Sequence, residues 1–257
     1  MKTYINKFYI ILFVFLVALT SCNRRSQLVY MKNLEVNESF LPQTPPTYRL
    51  VKGDVLYIQL LTPSPEASAA FNNPTGMQGA NQTRDESSLY LSGYAINEDG
   101  NIELPFLGEV KVIGLTIDET RRLIQEQAEN HFKSPTVKVK HASFKITVVG
   151  EVRRPGTQMN YNDNLTIFEA LAQAGDISEN GNRKNILVLR PTPEGGKTYR
   201  LNLADKSILA SEAYFLLPND IVFVEPRANK AFLMNVPYIS LFFSTVSTAI
   251  LLIKFIF

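Results

Sequence analysis

Two stretches, Leu115-Thr116-Ile117-Asp118-Glu119 and Leu165-Thr166-Ile167-Phe168-Glu169, repeat one pattern 50 residues apart, and each follows a Gly-Glu-Val, at Gly108-Glu109-Val110 and Gly150-Glu151-Val152. Each copy reads as a helix start. Thr116 and Thr166 can accept the backbone N–H three residues on, while Glu119 and Glu169 reach back to the threonine N–H, the reciprocal capping-box arrangement. The first helix is expected to run to about His131. The second is expected to end at Ala174, where Gly175 can take the left-handed conformation that closes a helix. Short alternating runs flank both: Val55 to Leu60, Asn101 to Leu104, Thr136 to His141 and Phe144 to Val149 around the first, and Asn185 to Arg190, Lys197 to Leu201 and Leu216 to Val224 around the second. The run Leu216-Leu217-Pro218-Asn219-Asp220-Ile221 also echoes Gly53-Asp54-Val55-Leu56. The pattern is an α+β chain built of two small modules.

Between the first strand and its continuation at Leu89 to Ile96, residues 62–88 are rich in Pro, Gly, Asn, Ser and Ala and read as a surface loop or insertion. Upstream, residues 22–46 are polar, carry Pro42, Pro45 and Pro46, and read as an extended tether. The chain opens with Lys2 and Lys7, then an apolar run of 12 residues from Phe8 to Leu19. That is short of the roughly 20 residues a spanning helix needs, so residues 1–21 are expected to be a secretory signal peptide. Its end, Leu19-Thr20-Ser21-Cys22, resembles a bacterial lipobox, which marks Cys22 as the lipidation candidate; an ordinary signal peptide with an incidental cysteine is the alternative. Asn23 in place of Asp favours the outer membrane on the same resemblance.

The last segment, residues 227–257, contains 23 uncharged residues from Ala231 to Ile253. At ~1.5 Å per residue this is long enough for a membrane-spanning helix. Ser240, Ser244, Ser247 and Thr248 fall within roughly 100° of a helical projection, and apolar residues cover most of the rest. Such a stripe suits helix packing, and it equally suits the lumen of a ring of copies; a buried core helix is a third reading.

The charge balance excludes a basic nucleic-acid binder. There are 26 Lys+Arg against 24 Asp+Glu, and without Lys2 and Lys7 the two signs are equal. With one cysteine, and with His131 and His141 expected at the surface, neither an internal disulfide nor a Cys/His zinc site can be built, and no metal or other cofactor is expected. No nucleophile, base and oxyanion cradle, and no phosphate-binding glycine loop, can be assembled, so no catalytic residue is assigned and the chain is expected not to be an enzyme. Arg153-Arg154, before Pro155-Gly156, are the candidate anion contacts, against the plainer reading of a solvated turn.

The segments YRLVKGDVLYIQL (from Tyr48), INEDGNIELPFLGEVKVIGLTIDETRRLI (from Ile96), SPTVKVKHASFKITVVGEVRRPGTQMN (from Ser134), NLTIFEALAQAGDI and LLPNDIVFVEP together resemble the bacterial polysaccharide export proteins, outer-membrane lipoproteins of capsule and exopolysaccharide secretion. The resemblance implies a polysaccharide export domain over residues 47–142, then one β-grasp-like SLBB domain over 143–226 and a C-terminal transmembrane helix. It implies a non-enzymatic conduit: a homo-oligomeric ring in the outer membrane, its soluble domains periplasmic, passing polysaccharide delivered with an inner-membrane co-polymerase or tyrosine kinase partner. A carbohydrate- or peptidoglycan-binding scaffold lipoprotein is the alternative, and a glycan hydrolase would need a carboxylate pair that the sequence does not offer.

Overall fold

The computed structural model describes residues 29–39, 43–72, 92–192, 195–228 and 230–256. The expected signal segment, Cys22 and most of the 62–88 insertion lie outside them.

The first module begins with β1 (Val55–Leu61), followed by α1 (Pro65–Asn72), β2 (Tyr94–Ala95), β3 (Asn101–Leu104), β4 (Gly108–Lys111), α2 (Ile117–Glu129) and β5 (Thr136–His141). β1 is the centre of an antiparallel sheet of order β2-β1-β5, and β3 and β4 form a separate hairpin. Leu56, Ile58 and Leu60 alternate inward from β1 and meet Ile124 and Ala128 of α2 and Val137 and Val139 of β5 in one buried cluster.

The second module comprises β6 (Lys145–Gly150), β7 (Gly156–Met159), β8 (Leu165–Thr166), α3 (Ile167–Gln173), β9 (Gly181–Thr192), β10 (Gly195–Leu201), β11 (Phe215–Leu216) and β12 (Ile221–Pro226). Its main sheet has the order β10-β9-β12-β6-β7, with β6 and β12 parallel and the other neighbours antiparallel. Ile167, Ala170, Leu171 and Ala174 lay α3 against Ile146, Val148, Val188, Val222 and Val224 in a second core. Both capping boxes form: Glu119 N–H donates to Thr116 Oγ1 at 3.1 Å and Glu169 N–H to Thr166 Oγ1 at 3.2 Å, and each threonine N–H is returned to the glutamate. α2 ends at Glu129, two residues short of the expected His131.

The two Gly-Glu-Val copies do different jobs. Gly108 opens β4 from a turn, with φ +72° and open space where a Cβ would stand, whereas Gly150 closes β6 with φ +90° and a Cβ there would stand 2.2 Å from the Val224 carbonyl oxygen. The echo around the aspartates goes deeper. Val51 N–H donates to Asp54 Oδ2 at 2.9 Å, and Leu217 N–H to Asp220 Oδ2 at 2.8 Å, so the same three-residue turn precedes β1 and β12. Gly53 (φ +81°) and Asn219 (φ +67°) supply its left-handed residue. Asp220 is fully buried and is held by Arg190 Nη2 at 2.8 Å; burial raises its carboxyl above the ordinary value, against the pull of that guanidinium.

Part of the expected 62–88 loop is a helix. Pro65–Asn72 forms α1 because Phe71, 0% exposed, drops into the first core, and because the Asn72 amide pairs with both backbone groups of Leu60, at 3.0 and 2.8 Å. Within the expected tether, residues 29–39 lie along the second module. Met31 and Lys32 N–H groups donate to the carbonyls of Leu203 and Ala204. Tyr30 stacks edge-on to Phe168, lies against the Arg183 guanidinium and donates to Asp176; burial first, then that carboxylate, pushes its phenol up to about 12.

α4 (Lys230–Ile256) follows β12. Its first turn is fastened by Lys230 to Glu151, which also accepts from Ser178 Oγ, while Arg227 donates to the carbonyls of Asn180 and Gly181.

Two substitutions test this account by chemical unfolding. Phe71→Ala is expected to destabilise the first module by ~3–5 kcal/mol if α1 is a core element, and by almost nothing if it is surface loop. Asp220→Ala, which leaves the Arg190 guanidinium buried and unpaired, is expected to lose about 3–5 kcal/mol.

Candidate functional site

Where the two modules meet, a groove of about 370 Å³ opens between them. Its first wall comes from the segment before β1, the first turn of α2 and the end of β5; its second comes from Phe144, the loop between β7 and β8, and the loop between β11 and β12. A short connector ties the walls together: Ala142 N–H donates to Val55 O at 2.8 Å and Val55 N–H to Ser143 Oγ at 2.9 Å. Lys140 and Asp163 join across the modules at 2.7 Å. Asp118 and Arg121 face each other at 3.7 Å on α2, so the charges of the lining are balanced in pairs.

Within the lining an aromatic ladder runs across the boundary, Tyr48 edge-on to His141 at 5.6 Å and His141 edge-on to Phe144 at 6.2 Å. Tyr48 donates to Asp54 Oδ2 at 2.9 Å, and burial, reinforced by the Asp54 charge, lifts its phenol well above the usual range. His141 was expected at the surface; its side chain is instead 9% exposed. Its strand closes the sheet directly over Asp54, which draws the imidazole inward. Nε2 faces Asp54 Oδ1 at 3.4 Å without hydrogen-bond alignment, and neither ring nitrogen makes a hydrogen bond.

The residues singled out in the sequence do not converge on this groove. Cys22 lies outside the described residues. Arg153 and Arg154 sit exposed in the turn between β6 and β7, where their N–H groups donate to Asp176 O and Ala174 O at 3.1 and 2.8 Å. Their side chains pass within 3.2 Å of where a Cβ on Gly175 would stand, so they lie against the C-terminal end of α3 and the glycine is required there. Ser240, Ser244, Ser247 and Thr248 are exposed along α4, as are all its residues from Asn235 to Ile253. Ser240 Oγ donates to Pro237 O at 2.8 Å and Thr248 Oγ1 to Ser244 O at 2.9 Å, the back-bonding that satisfies a hydroxyl on an apolar helix. Leu241, Phe242, Phe243, Leu251 and Phe255 are each more than 60% exposed on the same helix. The groove left no signal in the sequence because its walls come from segments scattered between residues 46 and 218 and its asparagines look like ordinary turn residues.

The family described as "Polysaccharide biosynthesis/export protein" matches residues 42–142, and the SLBB domain family matches residues 144–224. Among curated proteins, the chain is 31% identical over 206 residues to the EPS I polysaccharide export outer membrane protein EpsA of Ralstonia solanacearum, covering 76% of this chain and 52% of that protein. It is 32% identical over 180 residues to the protein of the same name in Ralstonia nicotianae, covering 67% and 44%. The exopolysaccharide production protein ExoF of Rhizobium meliloti is 29% identical over 106 residues, covering 39% and 25%. The chain therefore spans about half the length of the first two relatives.

The Glu151–Lys230 contact that seats α4 gives a pH prediction. Lys230 and Ser178 hold the Glu151 carboxyl below its usual 4.5, so its stabilisation is complete above about pH 4.5 and is lost as the pH falls through the lowered value. In thermal melts, the advantage of the wild type over Glu151→Gln is expected to be full at neutral pH and to vanish in that acid range; an advantage independent of pH would refute the assignment.

Proposed function

Because this chain belongs to the polysaccharide export protein family, with its export domain followed by one SLBB domain, we propose that it is a subunit of an outer-membrane conduit for capsule or exopolysaccharide. The single observation carrying the membrane part of this reading is α4. A helix of 27 residues, apolar and unburied from Asn235 to Ile253, has no place in an aqueous periplasm unless other surfaces cover it. At ~1.5 Å per residue it reaches across a bilayer core of about 30 Å. Cys22, lipidated, would hold the segment before residue 29 at the same membrane, with the two modules periplasmic.

Copies closing into a ring would turn Ser240, Ser244, Ser247 and Thr248 to a wet lumen and the phenylalanines and leucines to lipid, since heterologous contacts between identical subunits close around a passage. An inner-membrane co-polymerase or kinase would then deliver the polymer to the periplasmic modules. No bond is made or broken in this role, in keeping with a chain in which no catalytic constellation could be assembled from the sequence. The back-bonded hydroxyls favour one second reading, in which α4 is only an additional anchor of a glycan-binding scaffold.

Oligomeric state separates the two. Native mass spectrometry and negative-stain images of the detergent-extracted protein are expected to give a closed ring with a stain-filled centre; a persistent monomer or dimer would establish the scaffold. In the assembled protein, Ser244→Cys is expected to react with a membrane-impermeant thiol reagent and Phe242→Cys to resist it. The reverse pattern would overturn the facing of the helix.

A further inference from the structure

The groove between the modules has the chemistry of a saccharide site rather than of an ion or peptide site. Its volume, about 370 Å³, lies in the range of small-ligand clefts, and its walls are a mixture of apolar rings and hydrogen-bonding groups. Tyr161, 46% exposed, is one of the aromatic side chains of the lining. Beside it stand Asn162 and Asn164, both exposed, whose amides each carry two donors and an acceptor. A pyranose has the complementary surface, with a C–H face for the ring and a belt of hydroxyls that both give and take hydrogen bonds.

Charge selects among sugars. Lys140 is spent on Asp163 and Arg121 faces Asp118, so among the described residues of the lining neither of these cations is left unbalanced to attract a uronate or a phosphate. At the start of β5 the outer edge is already taken by α2, where Gln125 donates to Pro135 O and accepts from Val137 N–H, both at 2.9 Å, which shortens the edge open to an added peptide strand. At the base, His141 is nine-tenths buried and has a ring nitrogen, Nδ1, with no partner, a polar group in the groove wall that the fold itself does not use.

We propose that this interdomain groove is a subsite for a short neutral segment of the transported polysaccharide, with Tyr161 as stacking platform and Asn162 and Asn164 as hydroxyl readers. The proposal rests on the export reading, and it adds a point at which the periplasmic modules hold the polymer.

The test uses the full-length protein in detergent. The probes are short neutral oligosaccharides released by mild acid from the polysaccharide that the host bacterium secretes, with oligogalacturonate as the anionic arm. By saturation-transfer NMR and titration, the neutral probe is expected to bind and to weaken about tenfold, or ~1.4 kcal/mol, in Tyr161→Ala and in Asn164→Ala. Tyr161→Phe, which keeps the ring, is expected to retain binding. No binding by the wild type, equal binding by the alanine variants, or preference for oligogalacturonate would each overturn the proposal. A benzophenone amino acid at position 164, activated in cells, is expected to capture glycan; capture of a second copy of the chain or of another polypeptide would overturn it. Particle mass and stain images of the same samples keep the two readings apart. Rings that lose the sugar in Tyr161→Ala confine the effect to the groove, whereas sugar binding by a protein that forms no ring sinks the conduit and leaves the subsite.

Discussion

The fold hangs on two aspartates removed from water. Asp54 and Asp220, 3% and 0% exposed, each take the backbone N–H three residues earlier and so launch a strand, β1 in one module and β12 in the other, that lies in the interior of its sheet. A buried carboxylate is tolerable only when its oxygens are occupied. Asp220 achieves this with the Arg190 fork, which also donates from Nη2 to Phe215 O and thereby ties β11 to the same point. Asp54 does so at Oδ2, which accepts from Tyr48 as well as from the Val51 N–H, while the His141 imidazole stands 3.4 Å from Oδ1 without a hydrogen bond and brings the end of the last strand beside it. The geometry of the groove is thus a by-product of how two charges are kept satisfied.

What the sequence makes legible is whatever is settled within a few residues. The capping boxes at Thr116 and Thr166 need only their own first turns, and the alternation of Leu56, Ile58 and Leu60 needs only one face to be buried. α1 escapes such reading because one side chain, Phe71, anchors it against a core contributed by residues up to 68 positions away. The docking of residues 29–39 escapes it too, since Tyr30 finds Asp176 across 146 residues, and nothing local distinguishes it from a tyrosine in a free tether.

The candidate site divides in the same way. The apolar length of α4 and its line of hydroxyls are local and were readable. His141 was misread because its inward pull comes from Asp54, a partner that only the pairing of β1 with β5 brings near. Tyr161, Asn162 and Asn164 belong to a turn after β7 and gain meaning only from Lys140 and the first turn of α2 opposite them. The family relationship carries the order of the modules, while the groove between them is visible only in three dimensions.

One arrangement has a mechanical side. The segment beginning at residue 29 and the start of α4 are both fastened to a single loop of the second module, Tyr30 at Asp176 and Arg227 at Asn180 and Gly181, with Glu151 bridging Ser178 to Lys230. A pull on either attachment is met by that loop, which leads into the long strand β9 of the five-stranded sheet, and on the N-terminal side also by the Leu203 and Ala204 carbonyls. The first module is joined to the second on two sides, by residues 142–144 with the Lys140–Asp163 clasp, and by the chain before Tyr48, where the Gln43 amide donates to Ala210 O at 3.0 Å.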